Sequence, residues 1–376
     1  MKIAILTHQL TNNYGGILQN FALQKILKDI GHDVVTIDYV KQLSVKIKLF
    51  SIIKRLYIKL RYRSQLPLRG WTTKKEEQII SQHTRTFVRN YIKTTERIPI
   101  NSLKIFKNDF DAVVVGSDQV WRYKYLGKSI LEFFLKSFPN VKYKFSYAAS
   151  FGTDNWEMPI SVTSQCRNLI SKFDGVSVRE DSAVLLCNDY LKVSAVHVLD
   201  PTLLLDKGEY VKLINKTECP KYDNILMTYI LDKTSDKNEI IKNVSDNLNL
   251  TPIEILPLFK YSDVGYKYLE SCVFPPIEDW LRGFMEAKFV VTDSFHGTVF
   301  SIIFNKPFVV IGNESRGLSR MSSLLHLFGL EERLVSSKKE IESVLFKSID
   351  WKLVNELWNV KRKESIGFIL KTLEKK

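Results

Sequence analysis

The chain has 376 residues, of which 45% are hydrophobic, and it carries a formal net charge of +14 at pH 7. This length predicts two domains, each with its own core, and the lack of any uninterrupted apolar run of about 20 residues argues against a membrane-spanning helix. The charge favours a phosphorylated substrate or an anionic membrane as partner over nucleic acid, because no nucleic-acid-binding motif accompanies it.

The first elements form a βαβ unit with a glycine-rich turn. "KIAIL" predicts a strand, "NNYGGILQNFALQKILKDIGH" a loop that opens a helix, and "DVVTIDY" a second strand. The opening apolar run is too short for a signal peptide, so we expect a cytoplasmic protein. At the turn, the backbone around Asn13, Gly15 and Gly16 is a candidate binder of phosphate or acceptor hydroxyls, although the glycines also fit a plain turn. The spacing is not GxGxxG, so no dinucleotide is predicted.

A basic segment follows at about residues 41–75. It contains eleven lysines and arginines, and no acidic residue occurs between Asp38 and Glu76. The stretch "VKIKLFSIIKRLYIKL" interleaves bases with large apolar residues, as an amphipathic helix on an anionic membrane does. A surface helix packed on its own domain through its apolar face would give the same pattern. If residues 41–63 bind lipid, the protein is peripheral at the inner face of the cell membrane.

Strands and helices alternate along the rest of the chain. A helical stretch near residues 74 to 93 precedes strands in "FDAVVVGSDQVW", "YKFSYAASFG", "FDGVSVRE" and "AVHVLDPTLLL". Further strands follow in "NILMTYIL", "TPIEIL", "KFVVTDS" and "PFVVIG". This alternation predicts an α/β fold with two Rossmann-like, doubly wound domains that face a cleft. We expect domains at 1–205 (acceptor side) and 222–348 (donor side), and a helical segment at 349–376.

Polar residues that directly follow strands are candidate site residues, because ligands of open α/β sheets bind at the carboxyl ends of the strands. Ser117 and Asp118 follow one strand, and Ser294, His296 and Gly297 lie at a strand-to-helix corner. Each group has a structural alternative. The first pair fits an Asx-type turn, and the second fits a helix cap whose histidine is bonded to a backbone carbonyl.

The remaining histidines and the cysteines predict no metal site. The cysteines are far apart and form no CxxC pair, and the other histidines have no partners at metal-ligand spacing, so we expect structural roles for His8, His32, His83, His197 and His326.

Six strings stand in a characteristic order along the chain. They are "NNYGGILQNFALQ", "DAVVVGSDQVW", "YAASFG", "VSVRE", "VLDPTLLL" and "VTDSFHGTVFSIIFNKPFVV". Together, over roughly residues 1 to 335, they resemble the polysaccharide pyruvyl transferase family. The resemblance implies a glycosyltransferase-B-like fold, phosphoenolpyruvate as donor, no cofactor, and a saccharide acceptor on which pyruvate is left as a cyclic ketal. It also implies a role in capsule, exopolysaccharide or cell-wall biosynthesis, with a lipid-linked acceptor if the basic segment binds membrane.

The resemblance also assigns roles to residues. The better-known bacterial members are thought to use a histidine in the segment that contains His296, and they commonly carry "RLH" where this chain reads "SFH", with Ser294 in place of the arginine. Other bases must then meet the donor's anions. Arg179 matches the family's Ser-Val-Arg-Glu motif, and Arg316 or Arg320 lies where a base is expected after the next strand.

The chemistry suits these residue types. Ketal transfer from an enol phosphate requires a proton at the methylene carbon, removal of a hydroxyl proton, and stabilisation of phosphate beside a carboxylate. A histidine can give or take that proton, which makes His296 the catalytic candidate in either direction. The planar fork of arginine binds such anions, with Arg179 as first choice and Arg316 and Arg320 as second. An ion pair between Arg179 and its acidic sequence neighbours is the structural alternative.

Two other functions fit the sequence. A glycosyltransferase of the same fold would use a nucleotide sugar and hold its ribose with a carboxylate such as Asp293 or Glu314. A non-catalytic protein that binds saccharide or a membrane surface would keep the fold without the reaction.

Overall fold

The computed structural model describes residues 1–41, 44–218, 220–313 and 317–374. In chain order, its strands are β1 (Lys2–Leu6), β2 (Asp33–Thr36), β3 (Tyr39–Val40), β4 (Ile98–Pro99), β5 (Ala112–Val115), β6 (Tyr143–Ser146), β7 (Ser177–Val178), β8 (Val196–His197), β9 (Ile225–Tyr229), β10 (Thr251–Glu254), β11 (Phe289–Thr292), β12 (Phe308–Ile311) and β13 (Leu334–Val335). Its α-helices are α1 (Tyr14–Asp29), α2 (Val45–Tyr62), α3 (Lys74–Ile80), α4 (Gln82–Tyr91), α5 (Tyr123–Leu126), α6 (Ile160–Ile170), α7 (Asp181–Leu186), α8 (Lys207–Ile214), α9 (Ser235–Leu248), α10 (Tyr261–Val264), α11 (Ile277–Glu286), α12 (Phe295–Ile303), α13 (Ser319–Leu327), α14 (Lys338–Val344) and α15 (Trp351–Glu374).

Two parallel sheets organise the fold. Within the described residues, one sheet has the strand order β2-β1-β5-β6 and the other the order β10-β9-β11-β12-β13, beside two short strand pairs. Their central strands are continuous apolar runs, such as "AVVV" in β5 and "FVVI" in β12, and every residue of these two strands is buried. Parallel strands covered by helices on both faces require such runs. The predicted α/β fold with two Rossmann-like units is confirmed.

The end of the chain returns to the N-terminal half of the molecule. Trp358 of α15 donates from Nε1 to the carbonyl oxygen of Leu203 at 2.6 Å, and Ser365 Oγ accepts from the backbone N–H of Leu199 at 3.0 Å. Helix α8 lies between the predicted domain boundaries at 205 and 222, and it buries Tyr210. The predicted boundaries at 205 and 222 stay predictions.

Helix α2 is formed by the basic segment and contains no buried residue. Most of its large apolar side chains are exposed and only Ile52 and Ile58 among them are half-buried, so the alternative in which its whole apolar face packs on its own domain is wrong for the structure. Among the helices that the structure describes, none has the length and apolar character needed to cross a bilayer.

Candidate active site

A cleft of about 950 Å³ opens between the carboxyl ends of the strands of the two sheets. The residues that follow β1 and β5 line one side, and those that follow β9, β10 and β11 line the other, which is the ligand position of open α/β sheets. Polar residues that line it include His8, Asn12, Asn13, Asp118, Gln119, Asp293, Ser294, His296 and Arg320.

Behind this cleft, the guanidinium of Arg179 bridges two carboxylates. Its Nη1 donates to Asp200 Oδ2 at 2.8 Å, and its Nη2 donates to Asp118 Oδ1 at 3.0 Å. The Arg179 side chain is 1% exposed, and its guanidinium lies 4.3 Å from the centre of the Phe295 ring. A buried cation of this kind is stable only when it is paired and hydrogen-bonded, so the three charges form one unit.

The pairing keeps both carboxylates ionised. Burial acts to raise the pKa of Asp118, but the charges of Arg179 and His8 outweigh it and hold that pKa well below its usual range. Burial acts in the same direction on Asp200, where contacts with His296 and Arg179 hold the pKa well below its usual range. Asp118 at the cleft wall and Asp200 behind it are therefore both negatively charged at neutral pH.

The imidazole of His296 is held between Asp200 and helix α1. Its Nε2 lies 3.7 Å from Asp200 Oδ2 and is buried without a hydrogen bond from the described residues. The other oxygen of Asp200 accepts from the backbone N–H and the hydroxyl of Thr202 at 3.0 and 2.7 Å, which fixes the carboxylate. On the side of α1, a Cβ at Gly15 would overlap the imidazole ring. At 3.7 Å the contact with Asp200 is beyond hydrogen-bond distance, so the carboxylate lies beside the imidazole without a hydrogen bond to it.

Arg320 is the guanidinium that lines the cleft. With the Gln119 amide turned so that its oxygen faces the guanidinium, that oxygen accepts from Nη2 and Nη1 at 2.6 and 2.7 Å. Its guanidinium lies 5.8 Å from the centre of the Phe295 ring. Burial and the charge of Arg179 lower the pKa of Arg320 to about 10, so it stays positively charged at neutral pH.

Glu180, the residue after Arg179, ties the loop after β6 to this region. Its Oε1 accepts from Ser150 Oγ and the Phe151 N–H at 2.9 Å and from the Gly152 N–H at 3.2 Å. The same loop meets the second half of the chain at Gly317, where a Cβ would overlap the carbonyl oxygen of Gly152. Burial raises the pKa of Glu180 above its ordinary value.

The sequence matches the model of the polysaccharide pyruvyl transferase family over residues 13–315, which is more than half of the chain. The chain belongs to this family. The matched range contains Asp118, Arg179, Asp200 and His296 and ends before Arg320. No match to the curated proteins was found.

Solved structures give the same fold. The chain is similar to a UDP-GlcNAc 2-epimerase from Neisseria meningitidis bound to UDP-GlcNAc, with TM-score 0.53, 13% identity and full coverage of both chains. It is similar to the UDP-N-acetylglucosamine 2-epimerase from Rickettsia bellii, with TM-score 0.51, 12% identity and coverage of 99% of this chain and 96% of that one. The S. aureus MnaA-UDP structure gives TM-score 0.51 at 13% identity, covering 99% and 97%. These likenesses confirm the glycosyltransferase-B-like fold and nothing finer.

The two predicted catalytic residues of this pyruvyl transferase family member differ in position. His296 lines the cleft, as expected. Arg179 is not among the described residues that line it, and its ion-pair partners are Asp118 and Asp200 instead of its sequence neighbours. The expectation that Arg179 meets the donor anion directly stays a prediction, and in the structure two carboxylates already pair with its guanidinium.

The predicted substrate-binding residues divide in the same way. Arg320, Ser294, Asn13 and Asp118 line the cleft, whereas Arg316 lies outside the described residues. The backbone N–H of Gly16, expected to face a ligand, donates to Asn13 Oδ1 at 3.0 Å as part of the helix cap, so that expectation is corrected.

The remaining candidates have structural contacts. The hydroxyl of Ser117 donates to the carbonyl oxygen of Ala148 at 2.8 Å and is fully buried, so its role as a ligand contact is corrected. Gly297 is likewise corrected, because it packs against Thr292, where a Cβ would overlap the hydroxyl. Gly15 backs the ring of His296 and is not among the described residues of the cleft wall, which corrects its assignment to ligand binding.

Three site residues were missed by the sequence interpretation. His8 was assigned a structural role but lines the cleft, and burial lowers its pKa. Asp200 was not singled out as a site residue, although it pairs with Arg179 and lies 3.7 Å from His296 Nε2. Gln119 was not singled out. His8 lies two residues after the end of β1, so the rule that ligands bind at the carboxyl ends of strands would have identified it.

Proposed function

We propose that this protein transfers pyruvate from phosphoenolpyruvate to two hydroxyls of a sugar, where it forms a cyclic ketal, during capsule, exopolysaccharide or cell-wall polysaccharide biosynthesis. The observation that carries the proposal is that a cation, Arg320, and a histidine beside a buried carboxylate, His296, line one cleft of a pyruvyl transferase family member. Such a pair matches a dianionic or trianionic donor whose carbon must be protonated.

Arg320 is the residue that binds the donor. The chain lacks the arginine that family members carry in place of Ser294, and Arg320 supplies a guanidinium on the same wall of the cleft. Its contact with Gln119 holds the guanidinium at the cleft, where its positive charge attracts a carboxylate or phosphate. Lys41, Lys233 and Lys260 also line the cleft and attract an anion toward it.

His296 moves the proton. The first sugar hydroxyl adds to C2 of phosphoenolpyruvate, its proton is taken up by a base, and a proton is delivered to the methylene carbon, which becomes a methyl group. The second hydroxyl then displaces phosphate from C2 and closes the ketal ring, and its proton passes to the departing phosphate. A single histidine can donate one proton and accept one proton within this cycle.

Arg179 is a positioning residue for this reaction. It holds Asp200 at 2.8 Å, and Asp200 in turn lies beside the imidazole of His296. It also holds Asp118, which lines the cleft and can accept a hydrogen bond from a sugar hydroxyl. Arg179 therefore acts through two carboxylates and makes no direct contact with the substrate.

Nucleotide-sugar transfer remains the competing function, but Asp293, the described carboxylate considered for its ribose, does not favour it. Asp293 accepts from Lys237 Nζ at 2.6 Å and from the Leu231 N–H at 2.7 Å, so it is occupied by the protein itself. Glu314 lies outside the described residues.

Calorimetric titration with phosphoenolpyruvate and, separately, with UDP tests the proposal. We expect saturable binding of phosphoenolpyruvate that Arg320→Ala weakens by roughly 10- to 100-fold, because a charge-assisted contact is lost. The matched control is Arg61→Ala, which removes an exposed arginine far along the basic segment and should leave the affinity unchanged. Saturable binding of UDP without any response to phosphoenolpyruvate would overturn the proposal in favour of a glycosyltransferase.

A further inference from the structure

Helix α2 rests on the protein through one face only. Arg55 Nη1 donates to the carbonyl oxygens of Pro67 at 3.1 Å and of Ser262 at 2.8 Å. The half-buried residues of the helix recur at spacings of three and four residues, which places them on this same face: Lys48, Ser51, Ile52, Arg55 and Ile58. These contacts fix which side of the helix faces solvent.

The opposite face carries an apolar stripe that the protein leaves uncovered. Its side chains are between 45% and 75% exposed: Leu49, Phe50, Ile53, Leu56, Tyr57 and Leu60. Spacings of four, three and four residues align Leu49, Ile53, Leu56 and Leu60 along one line of the helix, and Phe50 and Tyr57 lie beside them. A contiguous exposed apolar patch of this size marks an interaction surface.

Basic side chains flank this stripe without any acidic neighbour in the helix. Lys46, Lys54, Lys59 and Arg61 are exposed, and the sequence has no Asp or Glu between Asp38 and Glu76. We propose that the stripe of α2 docks on an anionic lipid bilayer, with the apolar side chains inserted at the headgroup level and the bases on lipid phosphates. A second copy of this chain would bring two sets of like charges together, which disfavours self-association through the same face.

The position of α2 connects this surface to the cleft. The segment that contains the helix leaves the cleft wall at Lys41 and returns to it at Thr72. Arg55 contacts Ser262, beside the cleft residue Tyr261, so the helix lies at the rim between the two halves of the chain. A bilayer bound by α2 therefore lies next to the cleft mouth.

Vesicle sedimentation of the full chain tests the docking surface. We expect the protein to pellet with phosphatidylcholine vesicles that contain phosphatidylglycerol, to stay in solution with phosphatidylcholine alone, and to be released by salt. The double variants Phe50→Ser/Leu60→Ser and Lys54→Gln/Arg61→Gln should each weaken binding by at least about tenfold, since one removes apolar insertion and the other charge. Ile160→Ser, at an exposed isoleucine of α6, is the matched control and should bind as the wild type does.

Three results would overturn the docking surface. They are unchanged pelleting of both double variants, equal binding to vesicles with and without anionic lipid, and a wild-type dimer that Phe50→Ser/Leu60→Ser converts to monomer. The variants should keep wild-type affinity for phosphoenolpyruvate, because their side chains face away from the cleft. Loss of vesicle binding with intact donor binding thus separates this surface from the proposed function.

Discussion

The buried site of Arg179 and the basic helix α2 place their cations in opposite environments. Arg179 is buried between the carboxylates of Asp118 and Asp200, so its charge is balanced within the protein. In α2, by contrast, most of the bases and of the large apolar side chains are exposed, and the helix has no acidic residue. The difference shows how position separates two uses of the same residue types. A paired, buried cation orients other groups, whereas unpaired, exposed cations beside apolar surface are available to a partner.

The largest expected effect comes from the histidine that lies beside the buried network. Replacing the imidazole in His296→Gln should lower turnover by roughly 100- to 10,000-fold, because the proton carrier is lost, while phosphoenolpyruvate still binds. Turnover is measured as phosphate release from phosphoenolpyruvate in the presence of extracted lipid-linked saccharides. His326→Gln removes a 75% exposed imidazole and should act as the wild type. Equal activity of both variants would remove His296 from the reaction.

Breaking the buried cation itself should cost stability. Arg179→Met leaves Asp118 and Asp200 buried without their partner, which we expect to lower the free energy of unfolding by about 3 to 5 kcal/mol. The comparison variant Arg61→Met lies on the exposed side of α2 and should change it by less than about 0.5 kcal/mol. Urea unfolding of the two variants measures the contrast directly. Similar values for both would mean that the buried unit does not stabilise the fold.

A smaller effect is expected where α1 contacts the imidazole. Gly15→Ala places a Cβ into the ring of His296, and the overpacking should lower the free energy of unfolding by about 1 to 3 kcal/mol and reduce turnover with it. Gly367→Ala in α15 is the matched control, because a Cβ there meets nothing within 4 Å. It should keep or raise stability, since alanine favours a helix. A Gly15→Ala protein with wild-type turnover would show that the ring has room to move.

The smallest expected effect is a pH dependence of the stability difference. The pKa values of Asp118 and Asp200 are depressed in the folded protein, so their contribution is complete above the ordinary carboxyl pKa of about 4 and is lost as pH falls below it. Without Arg179 the pKa values of the same buried carboxylates are higher than in the wild type, because one positive charge that opposed the effect of burial is gone. Protonation then removes the buried negative charge and its energetic cost. The gap between wild type and Arg179→Met should therefore narrow from about pH 6 to about pH 3. A constant gap, measured by unfolding at each pH, would contradict this pairing.

Local patterns predicted much of this molecule, and long-range contacts explain what they missed. The run "KFVVTDSFHGTVF" correctly placed His296 at the corner between β11 and α12, because period and strand length are local properties. The partners of Arg179 lie 61 and 21 residues away in the sequence, so neither was visible beside it. The composition of the basic segment predicted an amphipathic helix, but only the packing of Arg55 on Ser262 decided which face stays exposed.

A crystal structure of the protein with bound phosphoenolpyruvate tests the division of labour between the two arginines most directly. We predict an anionic oxygen of the donor at hydrogen-bond distance from the guanidinium of Arg320, its methylene carbon on the side of His296, and Arg179 still paired with Asp118 and Asp200. A donor held by Arg179, with either carboxylate released, or bound away from His296, would contradict the proposed mechanism.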